Sequence, residues 1–405
     1  MTKHNRCRII EMRNAQVLAV FSALLTLGAQ TAHAQTETVL YRFQGAPDGA
    51  VPLGTPVLDK QGNLFGTTWY GGTYGLGTVW KVTPSGAETV LWSFGRKGNR
   101  RRRSDGASPT GLSKDNNGDF YGVTAIGGTY GGGTVFKIKP SGRETILWNF
   151  LGIDGTGPIG GVVWDESGNL FGTTYGGGSH NGGTVFELTP SGTETVLWSF
   201  GGNATDGISP TGAVLNANGT LYGTTAQGGK FYHGTVWELS PSGTERVLYD
   251  FNTSDPNGWQ PNGNLEMDTN GNLYGTASFG GPYGPSASYG TVFKLAPSGE
   301  LTVLHGFNGT DGMYPYGNVV LSKGNLYGTT YAGGAYNGGT VWEITRSGDF
   351  KTLWNLGNAT DGKMSRSSVA LDRNGNVYGT TAYGGGTDCQ LDNQTGCGTV
   401  FKVTP

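Results

Sequence analysis

Polar and apolar residues alternate along this chain in short runs, and the runs recur. In the segment 194–200, Glu-Thr-Val-Leu-Trp-Ser-Phe, the residues Val196, Trp198 and Phe200 share one face at period two, the spacing of a half-buried strand. Three more runs precede it within one unit that starts near Pro158. Val162-Val163-Trp164 reads as a short buried strand, Leu170-Phe171-Gly172-Thr173-Thr174 as a second, and the run from Gly183 to Leu188 as a third. Between them stand turn residues: Glu166-Ser167-Gly168-Asn169, a Gly-rich loop from Gly176 to Gly182, and Thr189-Pro190-Ser191-Gly192. In the last of these, proline pre-sets φ and glycine accepts the positive φ a tight turn demands. No 3.6-residue periodicity is evident, so the pattern predicts strands throughout.

The four-run unit occurs seven times at a period of about 50 residues, which marks repeats or propeller blades. Gly-Thr-Val returns at Gly77, Gly133, Gly183, Gly234, Gly290, Gly339 and Gly398. A glycine inside the second strand returns at Gly66, Gly122, Gly172, Gly223, Gly275, Gly328 and Gly379. Glycine weakens a strand unless something approaches closely, so these positions predict crowding. Trp92, Trp148, Trp198, Tyr249 and Trp354 are expected to fill the space between neighbouring blades. The repeats begin at Glu37–Phe43 with a fourth strand that lacks its first three, and end at Gly398–Pro405 with a third strand that lacks its fourth. The two ends complete one blade. The expected fold is all-β, a seven-bladed β-propeller of four antiparallel strands per blade, its ring closed by the N-terminal strand pairing with the C-terminal blade.

Composition fits this reading. Among 405 residues, 75 are glycine and only 14% are charged, while 11% are aromatic. Glycines set between Val, Leu, Tyr and Trp runs read as turns rather than as linker. A net charge of −2 argues against a nucleic-acid partner. Residues 1–34 differ from the rest. Lys3, Arg6, Arg8 and Arg13 precede an apolar stretch, Val17 to Leu27, that is too short to span a bilayer. Ala32-His33-Ala34 then offers a small-x-small cleavage pattern. The expectation is a secretory signal peptide over 1–34, cleaved near Ala34, and a secreted propeller over 35–405 with no membrane span. The two cysteines of the mature part, Cys389 and Cys397, lie close together in one loop, the pattern of a disulfide in an exported chain.

The unit Asn-Leu-Tyr-Gly-Thr-Thr, Gly-Gly, Gly-Thr-Val-Phe-Lys, Pro-Ser-Gly resembles the Gly-rich Gloeo-Verruco (GloVer) tandem repeat, from Glu37 to Pro405. That resemblance implies an exported bacterial repeat protein, often carrying a C-terminal sorting anchor, and implies no particular activity. Pro405 falls inside the last strand with no apolar tail after it, so release is expected in place of anchoring.

Chemistry is expected on the face that carries the long second-to-third and fourth-to-first loops, since loops on a rigid scaffold host binding. Tyr74, Tyr130, Tyr232, Tyr283 and Tyr336 stand between glycines in the second-to-third loops, with Phe231 beside Tyr232. Such rings suit stacking on sugars, or they shield their own hairpins. The fourth-to-first loops carry Asp-Gly pairs: Asp48, Asp105, Asp154, Asp206, Asp311 and Asp361, with Asp255 in a Pro-Asn-Gly variant. One Asp per blade does not converge on a calcium ion, and Asp-Gly is an ordinary turn. Departures from the repeat carry more information. Lys97 with Arg100, Arg101, Arg102 and Arg103 would grip an anionic polymer or form a solvated loop, and Trp259 stands where other blades have small residues. The loops Gly281–Gly290 and Gly384–Gly396 are enlarged and would wall one side of the face. His180 and His233, in neighbouring blades, are the candidates for proton abstraction, and no metal or cofactor motif is present. The reading is a monomeric binding module for an extracellular polysaccharide or surface protein, with a polysaccharide lyase or hydrolase as the alternative.

Overall fold

The computed structural model describes residues 35–95, 105–254, 256–283, 288–387, 389–391 and 393–404. Seven antiparallel sheets are arranged as the blades of a seven-bladed β-propeller, and two small two-stranded sheets, Gly362–Lys363 with Tyr383–Gly384 and Gln390–Leu391 with Gln394–Thr395, accompany blade 7. In blade 3, Thr156–Trp164, Leu170–Gly176, Thr184–Leu188 and Glu194–Ser199 follow one another from the inner to the outer strand. The ring closes as its ends require: the N-terminal strand Thr36–Arg42 pairs with Thr399–Thr404 and becomes the outer strand of blade 7. The Asp-x-x-Gly turns are held by their own side chains. Asp165 Oδ1 accepts from the amides of Ser167 and Asn169, both at 2.9 Å.

The crowding expected at the second-strand glycines is met by one partner in all seven blades. Each glycine pairs with a fully buried aromatic of the third strand: Trp80, Phe136, Phe186, Trp237, Phe293, Trp342 or Phe401. The tip of the ring reaches the glycine, so a Cβ on Gly172 would come within 2.6 Å of Cζ of Phe186. Gly-Thr-Val has a different cause. A Cβ on Gly183 would sit 2.6 Å from Cδ of Pro210 in the following blade. That glycine lets the next blade's inner strand dock. Two residues past each Asp-Gly or Asn-Gly pair, the amide of a positive-φ residue donates to a carbonyl of the preceding blade. Ser209 N to Gly182 O at 2.8 Å and Gln260 N to His233 O at 2.9 Å are examples. Six of these seven positions carry a side chain in the left-handed region, namely Val51, Ser108, Ser209, Gln260, Tyr314 and Met364; Gly157 is the seventh.

The expected Trp and Tyr residues do pack between blades, and the residue that follows each outer strand, two positions later, shares that space. Phe43, Phe94, Phe150, Phe200, Phe251 and Phe307 are buried, and each meets the third-strand aromatic of the next blade at 5.1–6.1 Å between ring centroids. Trp92 is buried, while Trp148, Trp198, Tyr249 and Trp354 are half-buried, with polar ends that need partners. Trp148 Nε1 donates to Asp154 at 3.0 Å, Trp354 Nε1 to Asp361 at 3.4 Å and Tyr41 Oη to Asp48 at 3.0 Å. The Asp of several Asp-Gly pairs thus ties an outer strand to the start of the next blade, and its carboxylate also accepts loop amides, as from Leu151 at 2.8 Å and Gly152 at 3.1 Å onto Asp154. A one-residue bulge in every outer strand, between Val196 and Trp198 in blade 3, interrupts the simple alternation.

Candidate functional site at the channel mouth

The inner strands enclose a central cavity of about 730 Å³. The residue after each inner-strand proline, or after Ser365 in blade 7, lines it: Leu53, Thr110, Ile159, Thr211, Asn262, Tyr316 and Arg366. Nearer the first turn, Ser113, Val163, Val214, Glu266 and Val320 line it as well. Among the described residues two of those lining it are charged, Arg366 and Glu266, and both come from blades 5 to 7. Burial alone pushes the Glu266 carboxyl up to about 7. In blades 5 to 7 the regular inner strands shrink to Glu266–Met267, Val320–Ser322 and Ala370–Leu371, and the segments ahead of them keep only short pairings: Trp259 with Phe279, Met313 with Ala332, and Gly362–Lys363 with Tyr383–Gly384. Asn264 reaches from blade 5 to the carbonyl of Gly160 in blade 3 at 3.1 Å. Side chains at Gly160 and Gly212 would collide with it.

From this cavity an aromatic run extends over three blades. His233 meets Trp259 at 5.2 Å, and Trp259 stacks on Phe279 at 4.8 Å with 26° between planes. Phe279 touches Tyr314 at 5.3 Å and Tyr316 at 6.3 Å, and Tyr316 meets Tyr331 at 5.4 Å. The guanidinium of Arg366 ends the run, 4.9 Å from the centre of the Tyr331 ring and 5.8 Å from that of Tyr316. All six rings are half-buried and Arg366 is exposed. Burial holds the Tyr316 phenol above its ordinary range, with Arg366 pulling more weakly the other way. At neutral pH it is a hydrogen-bond donor, not a base.

Trp259 therefore belongs to a larger assembly that the sequence did not announce. Phe279, Tyr314, Tyr316, Tyr331, Arg366 and Glu266 were missed. The available signal was a comparison of equivalent positions between repeats, where Glu266 replaces Val163, Val214 and Val320. The loop tyrosines stand apart from this assembly. Tyr74, Tyr130, Tyr232, Tyr283 and Tyr336 are exposed, Tyr232 most of all at 70%, and among the described residues no ring contact joins them. Tyr74 lies by a side groove with Asp48, Glu88 and Trp92. His180 and His233 are not brought together: His180 bonds Ser179 and packs beside Gly202, while His233 packs on Trp259. Arg100, Arg101, Arg102, Arg103, Lys97 and Asp255 lie outside the described residues. Cys389 and Cys397 form a disulfide that packs beside Gly45. Among the described residues no helix is long and apolar enough to cross a membrane.

A polar ladder runs between the blades. Glu88, Glu194, Glu245 and Glu37 on outer strands each have one oxygen buried without a hydrogen bond. Each is pushed up to about 7, first by burial and then by a nearby Asp: Asp48, Asp154, Asp206 and Asp361 respectively. The ladder breaks at blades 5 and 6, where Leu301 and Phe350 take the Glu position. There His305 stacks on Phe350 at 3.6 Å and pairs with Asp311 at 3.0 Å.

A propeller of this sequence pattern defines a class of repeat protein. The Gloeobacter/Verrucomicrobia repeat matches residues 26–215 and 209–405, and the chain belongs to that family. No curated protein matches it in sequence. Among solved structures, a streptogramin B lyase is similar at TM-score 0.59 and 13% identity, over 91% of this chain and 97% of that one. Virginiamycin B lyase from Staphylococcus aureus is similar at TM-score 0.58 and 12% identity, over 92% and 99%. Identities this low speak for the shared fold alone.

Proposed function

We propose that the protein is a binding module which takes an extracellular polymer, a glycan, across the channel mouth. The aromatic run from Trp259 to Tyr331 carries this reading: flat, half-buried rings from consecutive blades, held by one another, present a shelf to a ligand on one side of the mouth. Trp259 is its anchor, and the loop residues Tyr74, Tyr130, Tyr232, Tyr283 and Tyr336, with Arg100 to Arg103, would extend contact along a long polymer. The protein acts as a secreted monomer after cleavage near Ala34. The disulfide and the family suit an oxidising compartment. The alternative, a polysaccharide lyase or hydrolase, is favoured by one observation. Glu266 lines the cavity with a carboxyl near 7, suited to acid–base work.

The test is incubation of the secreted protein with neutral and acidic polysaccharides, following both retention and new reducing or unsaturated ends. Retention that Trp259→Ala abolishes, without cleavage, is the expected result. Cleavage abolished by Glu266→Gln would replace the binding reading with the enzymatic one, and absence of both would refute the pair.

A further inference from the structure

Resting on the binding reading above, we infer that the Arg366 end of the aromatic run is a subsite for a carboxylate-bearing sugar, a uronate unit of the polymer. Several polar groups of the lining are spent on one another, while among the described residues Asn264 Oδ1 and Thr110 Oγ1 stay without a partner. Asn318 Oδ1 accepts from the amide of Asn264 at 2.7 Å, Ser368 Oγ donates to the carbonyl of Asn318 at 2.7 Å, and Asn262 Nδ2 donates to Ser278 Oγ at 2.8 Å. Arg366 is different. Among the described residues its guanidinium has neither a hydrogen-bond acceptor nor an ion-pair partner, and two tyrosine rings hold it at the mouth. A guanidinium supported this way keeps its planar fork of donors for a bidentate acceptor, and a carboxylate fits that fork.

The neighbouring surface says what the carboxylate is attached to. Tyr314, Tyr316 and Tyr331 are half-buried rings gathered beside Arg366, and their hydroxyls make no hydrogen bond among the described residues. Unspent hydroxyls beside the guanidinium suit a ring that bears hydroxyl groups. Arg366 is the one cation among the described lining residues, with the Glu266 carboxylate as the other charged group, and a single positive charge suits a monoanion better than a phosphate dianion.

The experiment is calorimetric titration of the secreted protein with oligogalacturonate and oligoalginate, each as the free acid and as its methyl ester. Esterification removes the charge and leaves the ring. Wild type should bind the acid roughly tenfold more tightly than the ester, the scale of one charge-assisted bidentate contact. Arg366→Gln should bind both at the ester's level, and Arg366→Lys, which keeps the charge but not the fork, should fall between. Trp259→Ala should weaken acid and ester alike and keep the preference. Thermal midpoints matching wild type certify that each variant is folded. An ester bound as tightly as the acid, a preference that survives Arg366→Gln, or tighter binding of a sulfated oligosaccharide would overturn the uronate subsite and leave the binding module standing. Failure of wild type to bind any saccharide, charged or neutral, would remove both.

Discussion

Protonation of the inter-blade glutamates should set the pH dependence of stability. Glu194 shows the geometry: its buried oxygen has no donor, and the Asp154 carboxylate opposite already takes the Trp148 indole and two loop amides. Its carboxyl titrates near 7 in the fold against an ordinary 4.5. A folded value above the unfolded one means that the folded state holds its proton more tightly. The resulting stability is complete below about 4.5 and is lost as pH rises through about 7. With full desolvation that span would be about 3 kcal/mol for each group. These side chains still meet water, and screening brings the figure to about 1 kcal/mol. Glu88 and Glu245 repeat the arrangement, so Glu88→Gln, Glu194→Gln and Glu245→Gln together should stabilise the protein by about 3 kcal/mol at pH 8 and by nearly nothing at pH 4.5. Asp268 and Asp372, whose carboxyls are lowered by hydrogen bonds from their own turns despite burial, have the opposite sign. They act only in more acidic solution, outside this window. Differential scanning calorimetry at the two pH values reads the effect as a rise in midpoint of several degrees at pH 8 alone. A triple variant that unfolds with wild type at pH 8, or a wild type more stable at pH 8 than at pH 5, would refute the reasoning.

Two glycines with positive φ should respond in opposite ways. Gly183→Ala drives a Cβ to 2.6 Å from Pro210 and should cost about 3 kcal/mol or more, whereas Gly157→Ser, with nothing nearer than 3.8 Å and six counterparts that carry side chains, should change stability by no more than about 1 kcal/mol in urea titrations. Trp148→Phe keeps most of the ring but leaves Asp154 without the indole donor. It should cost about 1–2 kcal/mol by the same assay, and a neutral result would remove the Asp tie as a source of stability. Reducing the Cys389–Cys397 bridge, which spans a sequence separation of 8, should lower stability by roughly 2–3 kcal/mol on the chain-entropy account. An unchanged midpoint in reductant would mean that the packing around Gly45 holds this loop without the bond.

The sequence by itself determined the blade strands and turns, because each depends on residues within about one repeat, through period-two alternation and Pro-Ser-Gly and Asp-x-x-Gly chemistry, and it announced the closure of the ring through two complementary ends. It also announced crowding at the second-strand glycines without naming the third-strand aromatics that cause it. The Asp-Gly pairs looked like turns, and only folding brought a Trp or Tyr side chain from the preceding outer strand onto several of their carboxylates. The channel mouth was decided by tertiary structure. Which inner-strand residues face the axis depends on the phase of the pleat, and a one-residue shift reverses it. Blades differ here: the ladder slips between Pro109 and Gly111 in blade 2 and between Ile159 and Val162 in blade 3. Trp259, Phe279, Tyr316, Tyr331 and Arg366 are far apart along the chain, and each sits at a position that varies from blade to blade. They become one surface only when consecutive blades stack around a common axis, and no local pattern encodes that meeting.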